Sequence, residues 1–374
     1  MSEGVSLYIH IPFCKQKCLY CDFPSFSGKE NLMVRYAKAL SKEINKINRK
    51  VRTIFIGGGT PTYLCLEAWE IIKKSLDNLD KDKDIEFTVE GNPGTFKEEK
   101  LEFLKQIGVN RLSIGLQAWQ NQLLKKLGRI HTREDFEQSF YMARKCGFKN
   151  INVDLMFGLP DQTLNQWIET LNNVMDMKPE HLSCYSLIIE EGTPFYKMYN
   201  GDKLKVPSEE LERNMYEKTI SILEENEYYQ YEISNFSKRN KECKHNLTYW
   251  DLEDYIGCGA GAHSYIDGIR YRNEINIEKY IDKINENEIA SVENHKNIVK
   301  DDMEEFMFMG LRKIKGISIK EFERRFETNI YSVYGDVIYK YKNLNLLNER
   351  EGHIALSKKG IQVSNTIMSE FILD

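Results

Sequence analysis

The stretch Tyr8-Ile9-His10-Ile11-Pro12-Phe13-Cys14-Lys15-Gln16-Lys17-Cys18-Leu19-Tyr20-Cys21-Asp22-Phe23 reads as a short strand running into a loop with three cysteines spaced C-x3-C-x2-C. Three thiolates on one short loop can hold a metal centre without help from distant chain. The absence of a fourth nearby cysteine is the informative part. A structural zinc site takes four closed ligands, and an ordinary iron–sulfur cluster takes four cysteines. Three would leave one iron of a [4Fe–4S] cluster open to a small molecule. The alternatives are a zinc site completed by His10 or a remote cysteine, and plain packing of the thiols. Zinc cysteines usually come as two separate knuckles. The flanking Lys15, Gln16 and Lys17 are not core residues.

Working outward, apolar strands and amphipathic helices alternate. Strands are expected at Leu7–Ile11, Thr53–Ile56, Ile85–Val89, Arg111–Leu116, Ile151–Phe157 and His181–Ile189. Between them, Met33, Ala37, Leu40, Ile44 and Ile47 form one helical face, as do Leu66, Trp69, Ile72, Leu76 and Leu79. Thr95 with Glu98, and Thr163 with Gln166, have the capping-box spacing. Gly108 and Gly147 stop helices, and Ser208 starts a long one reaching about Asn226. Six strand–helix units argue for parallel βα architecture. A closed barrel needs eight, so an open, curved (β/α)6 sheet is expected. The cysteine loop, Gly57-Gly58-Gly59-Thr60, Glu90, Gln117 and Gly158-Leu159-Pro160 all fall at or just after strand C-terminal ends. That is the face on which parallel barrels build their sites.

The pattern changes after residue 228. Residues 236–300 hold His245-Asn246-Leu247-Thr248-Tyr249-Trp250 and a glycine-rich run, followed by a charged stretch, Ile275 to about Val299, that reads as a helical connector. Residues 301–374 read as helices followed by short strands, a winged-helix-like α+β module. The expected organisation is therefore 1–235, 236–300 and 301–374.

The chain has 374 residues, 41% hydrophobic and 29% charged, with a formal net charge of −5. That balance gives no electrostatic footprint for nucleic acid, so a docking role is the better expectation for the C-terminal module. No secretory signal or membrane-length apolar run is visible, and the clustered thiols suit a reducing cytoplasm. The other five cysteines, at 65, 146, 184, 243 and 258, are expected to be small buried hydrophobes.

The cysteine spacing with an aromatic before the third cysteine resembles the signature of the radical S-adenosylmethionine (SAM) superfamily. The longer string resembles its oxygen-independent coproporphyrinogen III oxidase-like family, whose barrels are partial (β/α)6 barrels. The resemblance covers roughly the first three quarters of the chain. It implies Cys14, Cys18 and Cys21 as ligands of a [4Fe–4S] cluster. It implies Tyr8, Tyr20, Gly58, Gly59, Thr60, Glu90, Gln117, Arg129 and Asp154 as SAM-site positions, with Ile188 and His263 as further contacts. Some relatives hold two SAM molecules. By residue chemistry alone, the glycine run could bring backbone N–H groups and the Thr60 hydroxyl to a ligand.

Two branches of that family fit differently. The dehydrogenase branch usually carries a further cysteine two positions after the third; here that position is Phe23. His245-Asn246-x-x-Tyr249-Trp250 resembles a motif of the heme-chaperone branch. An imidazole can ligate heme iron, and the two aromatics can stack on a porphyrin. Cys243 is an alternative ligand, and a capped turn with two core aromatics is the bland reading. The expectation is a heme chaperone holding heme, a [4Fe–4S] cluster and SAM. Its partners would be heme-accepting proteins, membrane-associated ones among them, and an electron donor to the cluster. The other branch would cleave SAM reductively to oxidise coproporphyrinogen propionates.

Overall fold

In the computed structural model, which describes residues 4–286 and 289–373, the opening stretch forms the central strand of the sheet. Met1–Glu3, two residues of the Ile275–Val299 stretch and Asp374 lie outside the described residues. Strands β1 (Val5–Ile11), β2 (Val51–Gly58), β3 (Lys81–Gly91), β4 (Arg111–Gln117), β5 (Ile151–Phe157) and β6 (His181–Ser186) lie side by side. All five pairings are parallel. Alternate strand residues such as Leu7, Ile9, Leu112, Ile114, Val153 and Leu155 pack in the core, while Tyr8, Ser113, Asn152 and Asp154 face a cavity; all seven residues of β4 are buried. Helices such as Met33–Ile44, Leu66–Asp77 and Leu164–Asp176 cross between them and bury Tyr36, Leu40, Trp69, Ile72, Trp167 and Leu171 in one core. This is the expected partial (β/α)6 barrel.

The sheet continues past both ends of the six. β7 (Tyr229–Gln230) and β8 (Asn235–Ser237) add an antiparallel pair beside β6. On the other side β9 (Tyr255–Cys258) runs parallel to β1, and β10 (His263–Ile266), β11 (Ile269–Asn273) and β12 (Ser291–Lys296) follow antiparallel. The sheet thus has twelve strands. The Ile275–Val299 stretch is only part helix: Ile277–Glu286 is helical, and β12 follows it. Its alternating charges and Asn residues sit on an edge strand, where exposed polar side chains suit solvent and protect the edge.

Local signals were read with mixed success. The Thr163–Gln166 capping box forms in full. The Thr95–Glu98 one does not: that helix starts at Glu98 behind Lys97, with no side-chain cap. Thr95 instead donates its hydroxyl to the Asn92 carbonyl at 2.6 Å and lies 2.5 Å from the Thr62 hydroxyl, locking the turn after β3. Of the five scattered cysteines, Cys184, Cys243 and Cys258 are buried; Cys146 is half-buried and Cys65 exposed.

The C-terminal module packs helices Val299–Gly310, Ile319–Phe326 and Ile330–Asn343 against β13 (Ile317–Ser318), β14 (Leu347–Arg350) and β15 (His353–Leu356), ordered β13-β15-β14. Phe306, Phe322, Tyr334, Ile354 and Phe371 form its core, which reaches Leu252 and Tyr265 of the preceding segment. Among the described residues no helix is long and apolar enough to cross a membrane.

Candidate cofactor and ligand site

The chain leaves β1 at Ile11 and at once forms the cysteine loop. Cys14 is buried, and Cys18 and Cys21 are half-buried. Burial pushes the Cys14 and Cys21 thiols up, because desolvation penalises a thiolate that has no metal beside it. Among the described residues no three His, Cys, Asp or Glu side chains converge on one ion.

The glycine run explains how the loop is seated. A Cβ on Gly57 would meet the Glu90 carboxylate at 2.7 Å, and one on Gly59 would meet the Phe13 and Ile11 carbonyls and Cys14 Sγ at 2.8–3.0 Å. On Gly58, with φ +106°, it would strike the His10 ring at 2.4 Å. The glycines therefore let the end of β2 nest against the cysteine loop. Their N–H groups are already used, which differs from the simple expectation of a ligand-facing cradle. Gly58 donates to Glu90 Oε2, Gly59 to the Ile11 carbonyl and Thr60 to the Phe13 carbonyl. The Thr60 hydroxyl lies 3.5 Å from Cys14 Sγ and accepts from Asn92 Nδ2 at 2.8 Å.

From there a polar chain runs to the remaining positions. Asn92 Oδ1 accepts from Arg129 Nη1 at 2.8 Å, and the Arg129 guanidinium lies over the Tyr20 ring at 5.9 Å. Burial works against the Arg129 charge, but Tyr20, Cys18 and Cys21 outweigh it and hold the group firmly protonated. Arg129 Nε is buried without a partner. Gln117 has φ +72°, a left-handed backbone that a non-glycine residue adopts at a cost. That turn at the end of β4 holds a buried amide whose Oε1 has no partner. Two orphaned polar groups beside the cysteine loop are what a polar ligand would satisfy. The donor set present fits an amino-acid-bearing cation next to a cluster.

Glu90 and Asp154 face the same space. Burial raises the Glu90 carboxyl to about 8, with Asp154 adding to the effect. Asp154 accepts from Ser113 Oγ at 2.9 Å and from Asn152 Nδ2 at 2.8 Å. Tyr8 places its hydroxyl 2.9 Å from His10 Nδ1, and its pKa stands far above the usual phenol value through burial and Glu90.

A cavity of about 1070 Å³ opens from this point. Tyr8, Gly58, Glu90 and Asp154 line one part of its wall; His245, Asn246, Tyr249 and Trp250 line another. The motif seen far away in sequence is thus brought to the same cavity as four of the nine expected SAM positions; Tyr20, Gly59, Thr60, Gln117 and Arg129 lie outside its lining. Its histidine, however, is engaged. His245 Nδ1 lies 2.7 Å from the Thr53 hydroxyl, Nε2 lies 2.8 Å from the Tyr249 hydroxyl, and the ring stacks on Phe55 at 5.2 Å. Burial lowers its pKa to about 3, with Arg111 adding to that, so the ring is neutral. Cys243 is buried, with Sγ 3.5 Å from Glu86 Oε1, and does not line the cavity. Ile188 lines the cavity, whereas His263 lies outside its lining.

Sequence reading missed Asn92, Arg111, Ser113, Asn152 and Arg312. Asn92 had a usable signal, since it follows β3 on the site face. Arg111 opens an apolar strand and is 2% exposed. Burial would strip its charge, but Cys243, Glu86, Tyr231 and Asp154 together keep it charged. No local pattern marks Arg312, which only the three-dimensional contact between the module and the barrel brings to the cavity.

Comparison with known proteins agrees with this construction. A family model described as Radical SAM superfamily matches residues 8–174, and one described as HemN C-terminal domain matches residues 299–363. The architecture is that of the Escherichia coli radical SAM enzyme coproporphyrinogen III oxidase (HemN), with a TM-score of 0.86 and 23% identity, covering 99% of this chain and 90% of that one. The chain is therefore a radical SAM protein with a HemN-type C-terminal domain, a class defined by a [4Fe–4S] cluster and SAM. Heme chaperone HemW of Bacillus subtilis (strain 168) is 41% identical over 98% of this chain and 99% of its own length. The Lactococcus lactis protein of that name is 38% identical over 99% and 97%, and that of Escherichia coli K12 is 38% identical over 70% of each. The chain belongs to the HemW family.

Proposed function

We propose that this chain is a heme chaperone: it binds heme, a [4Fe–4S] cluster and SAM, and passes heme to acceptor proteins in the cytoplasm or at a membrane surface. The reading is carried by one observation, the continuity of the cavity from Glu90 and Gly58 to Tyr249 and Trp250. Its volume lies at the upper end of the usual ligand-pocket range. Phe23, Tyr185 and Ile188 are exposed at 61%, 39% and 66% yet line it, an apolar surface suited to a flat macrocycle.

In this reading Cys14, Cys18 and Cys21 would hold the cluster, which would supply one-electron chemistry, fed by a reductant protein, and an open iron site for the SAM amino-acid end. Gln117, Arg129 and Thr60 would hold the polar end of SAM, and Glu90 and Asp154 its cationic centres, with Tyr8, Tyr20, Gly58 and Gly59 shaping the wall. Tyr249 and Trp250 would pack against heme. His245 acts by fixing Tyr249, since both its ring nitrogens have partners.

The second reading, porphyrinogen oxidation, is favoured by the completeness of the SAM-side polar set. One paired assay separates the two. Anaerobic, cluster-loaded protein is titrated with heme and, separately, supplied with coproporphyrinogen III, SAM and reductant. Heme binding without protoporphyrinogen formation is the expected result. Robust conversion would overturn the chaperone reading.

A further inference from the structure

The cavity wall contains donors that the cofactor site does not use. Arg312 follows helix Val299–Gly310 and carries the C-terminal module to the barrel: its carbonyl accepts from Ile233 N at 3.1 Å. Its guanidinium lies over the Trp250 ring, 4.6 Å from the centroid. Both residues line the cavity. Trp250 Nε1 and Arg312 Nε are buried, and neither has a hydrogen-bond partner. No ion pair is formed by Arg312 among the described residues. Glu232 is within electrostatic reach, but its Oε1 accepts from Ser234 N and Asn235 Nδ2 and it forms no ion pair with Arg312.

An indole N–H and a guanidinium are donors only. Stacked together and left unsatisfied in a cavity wall, they ask for an acceptor. The positive charge asks for an anionic one, and a guanidinium fork matches a carboxylate better than any neutral oxygen. A second cation, Arg213 of helix Glu209–Glu225, lines the same cavity and forms no ion pair among the described residues.

We infer that Arg312 and Trp250 form a carboxylate-docking point that takes a propionate of the bound porphyrin, so that the C-terminal module selects the edge by which the macrocycle enters. The inference rests on the heme reading above. It adds an orientation to it: the propionate edge points towards the module, and the SAM side of the cavity faces the rest of the ring.

The test compares heme with its iron protoporphyrin dimethyl ester, which keeps the ring and loses both carboxylates. Full-length, cluster-loaded protein is titrated anaerobically with each, in one detergent-containing buffer, following the Soret difference spectrum. Wild type is expected to prefer the free acid by about tenfold, the scale of one charge-assisted contact. Arg312→Gln should reduce that preference to within about twofold, mainly by weakening the free acid. Trp250→Phe keeps the ring and loses only the N–H, and should reduce it by about threefold. Melting temperatures show whether each variant is folded, and the conservative Trp250→Phe stands if Arg312→Gln is not. Equal affinity of wild type for acid and ester, or an unchanged preference in a folded variant, overturns the docking point while leaving the heme reading intact. Failure of wild type to bind either compound overturns both.

Discussion

Glu90→Gln isolates the energetic cost of the SAM-side carboxylates. In the cofactor-free protein the Glu90 carboxyl titrates at about 8 against 4.5 for a free glutamate, chiefly through burial and then through Asp154. Between those values the folded state holds a proton that the unfolded state has released. Stability therefore falls as pH rises from about 4.5 towards 8 and levels off above it. At about 1.36 kcal/mol per pKa unit, that shift corresponds to an upper bound of roughly 5 kcal/mol lost at alkaline pH. Glutamine keeps a carbonyl oxygen for the Gly58 N–H and carries no charge at any pH. A chain of 374 residues unfolds with an entropy near 0.8 kcal/mol/K, so 5 kcal/mol amounts to about 6 °C in Tm. The assay is scanning calorimetry of cluster-free protein at pH 6 and pH 8.5. Between pH 6 and pH 8.5 about half of that loss is felt, roughly 2.6 kcal/mol, so the wild-type Tm should fall by about 3 °C more than that of Glu90→Gln, and the variant should be the more stable at pH 8.5. Parallel pH profiles would refute the reasoning, because they would mean that Glu90 ionises freely in the folded chain. The same variant should bind SAM more weakly, since it removes the negative charge that a cationic ligand would bring out.

The remaining perturbations test other parts of the site. Cys14→Ala should abolish the EPR signal of a reduced [4Fe–4S] centre; an unchanged signal would reject the three-cysteine assignment. Gly58→Ala should destabilise the protein by about 2–4 kcal/mol in chemical denaturation, because it combines a positive φ with a Cβ 2.4 Å from His10. A neutral effect would mean that the His10 ring moves aside freely. His245→Ala should cost about 3 kcal/mol from the orphaned Thr53 and Tyr249 groups and the lost ring packing. It should leave the ligand-field bands of bound heme in place; a shift in those bands would make His245 an iron ligand after all.

Much of the fold was written in local pattern. Alternate residues of the six parallel strands are apolar because one face packs under helices, and β2, β3, β4 and β6 end at a glycine or polar residue that marks the site face. Glu90 and Gln117 could be picked out as polar residues where an apolar run stops. What could not be read was anything set by strand pairing over long distances. The segment after residue 250 gave no periodicity, because β9 to β12 are short and partly solvent-facing, with β12 at the sheet edge. Thr95 looked like a helix cap, since local spacing cannot reveal that its hydroxyl is claimed by Asn92 and Thr62. Arg111 opens a strand that is otherwise apolar, and only the placement of Glu86, Cys243 and Asp154 around it makes a buried charge tolerable.

The histidine motif reaches the cavity, while both of its imidazole nitrogens are engaged by other side chains. An imidazole beside two aromatics suggests an axial ligand, and the motif does reach the cavity. Yet the atoms it offers there are not the imidazole nitrogens, which bridge Thr53 on β2 to Tyr249 within helix Lys244–Trp250. That bridge ties the helix to the barrel. It fixes Tyr249 edge-on to Tyr255 at 4.7 Å and holds Trp250 under Arg312. The spacing of four between His245 and Tyr249 is one helical turn, which is why the two side chains can meet. In the reading proposed above, the motif is a mount. Its histidine positions aromatic groups against the cavity, and through Trp250 it couples the barrel that would carry cluster and SAM to the module that would grip the porphyrin edge.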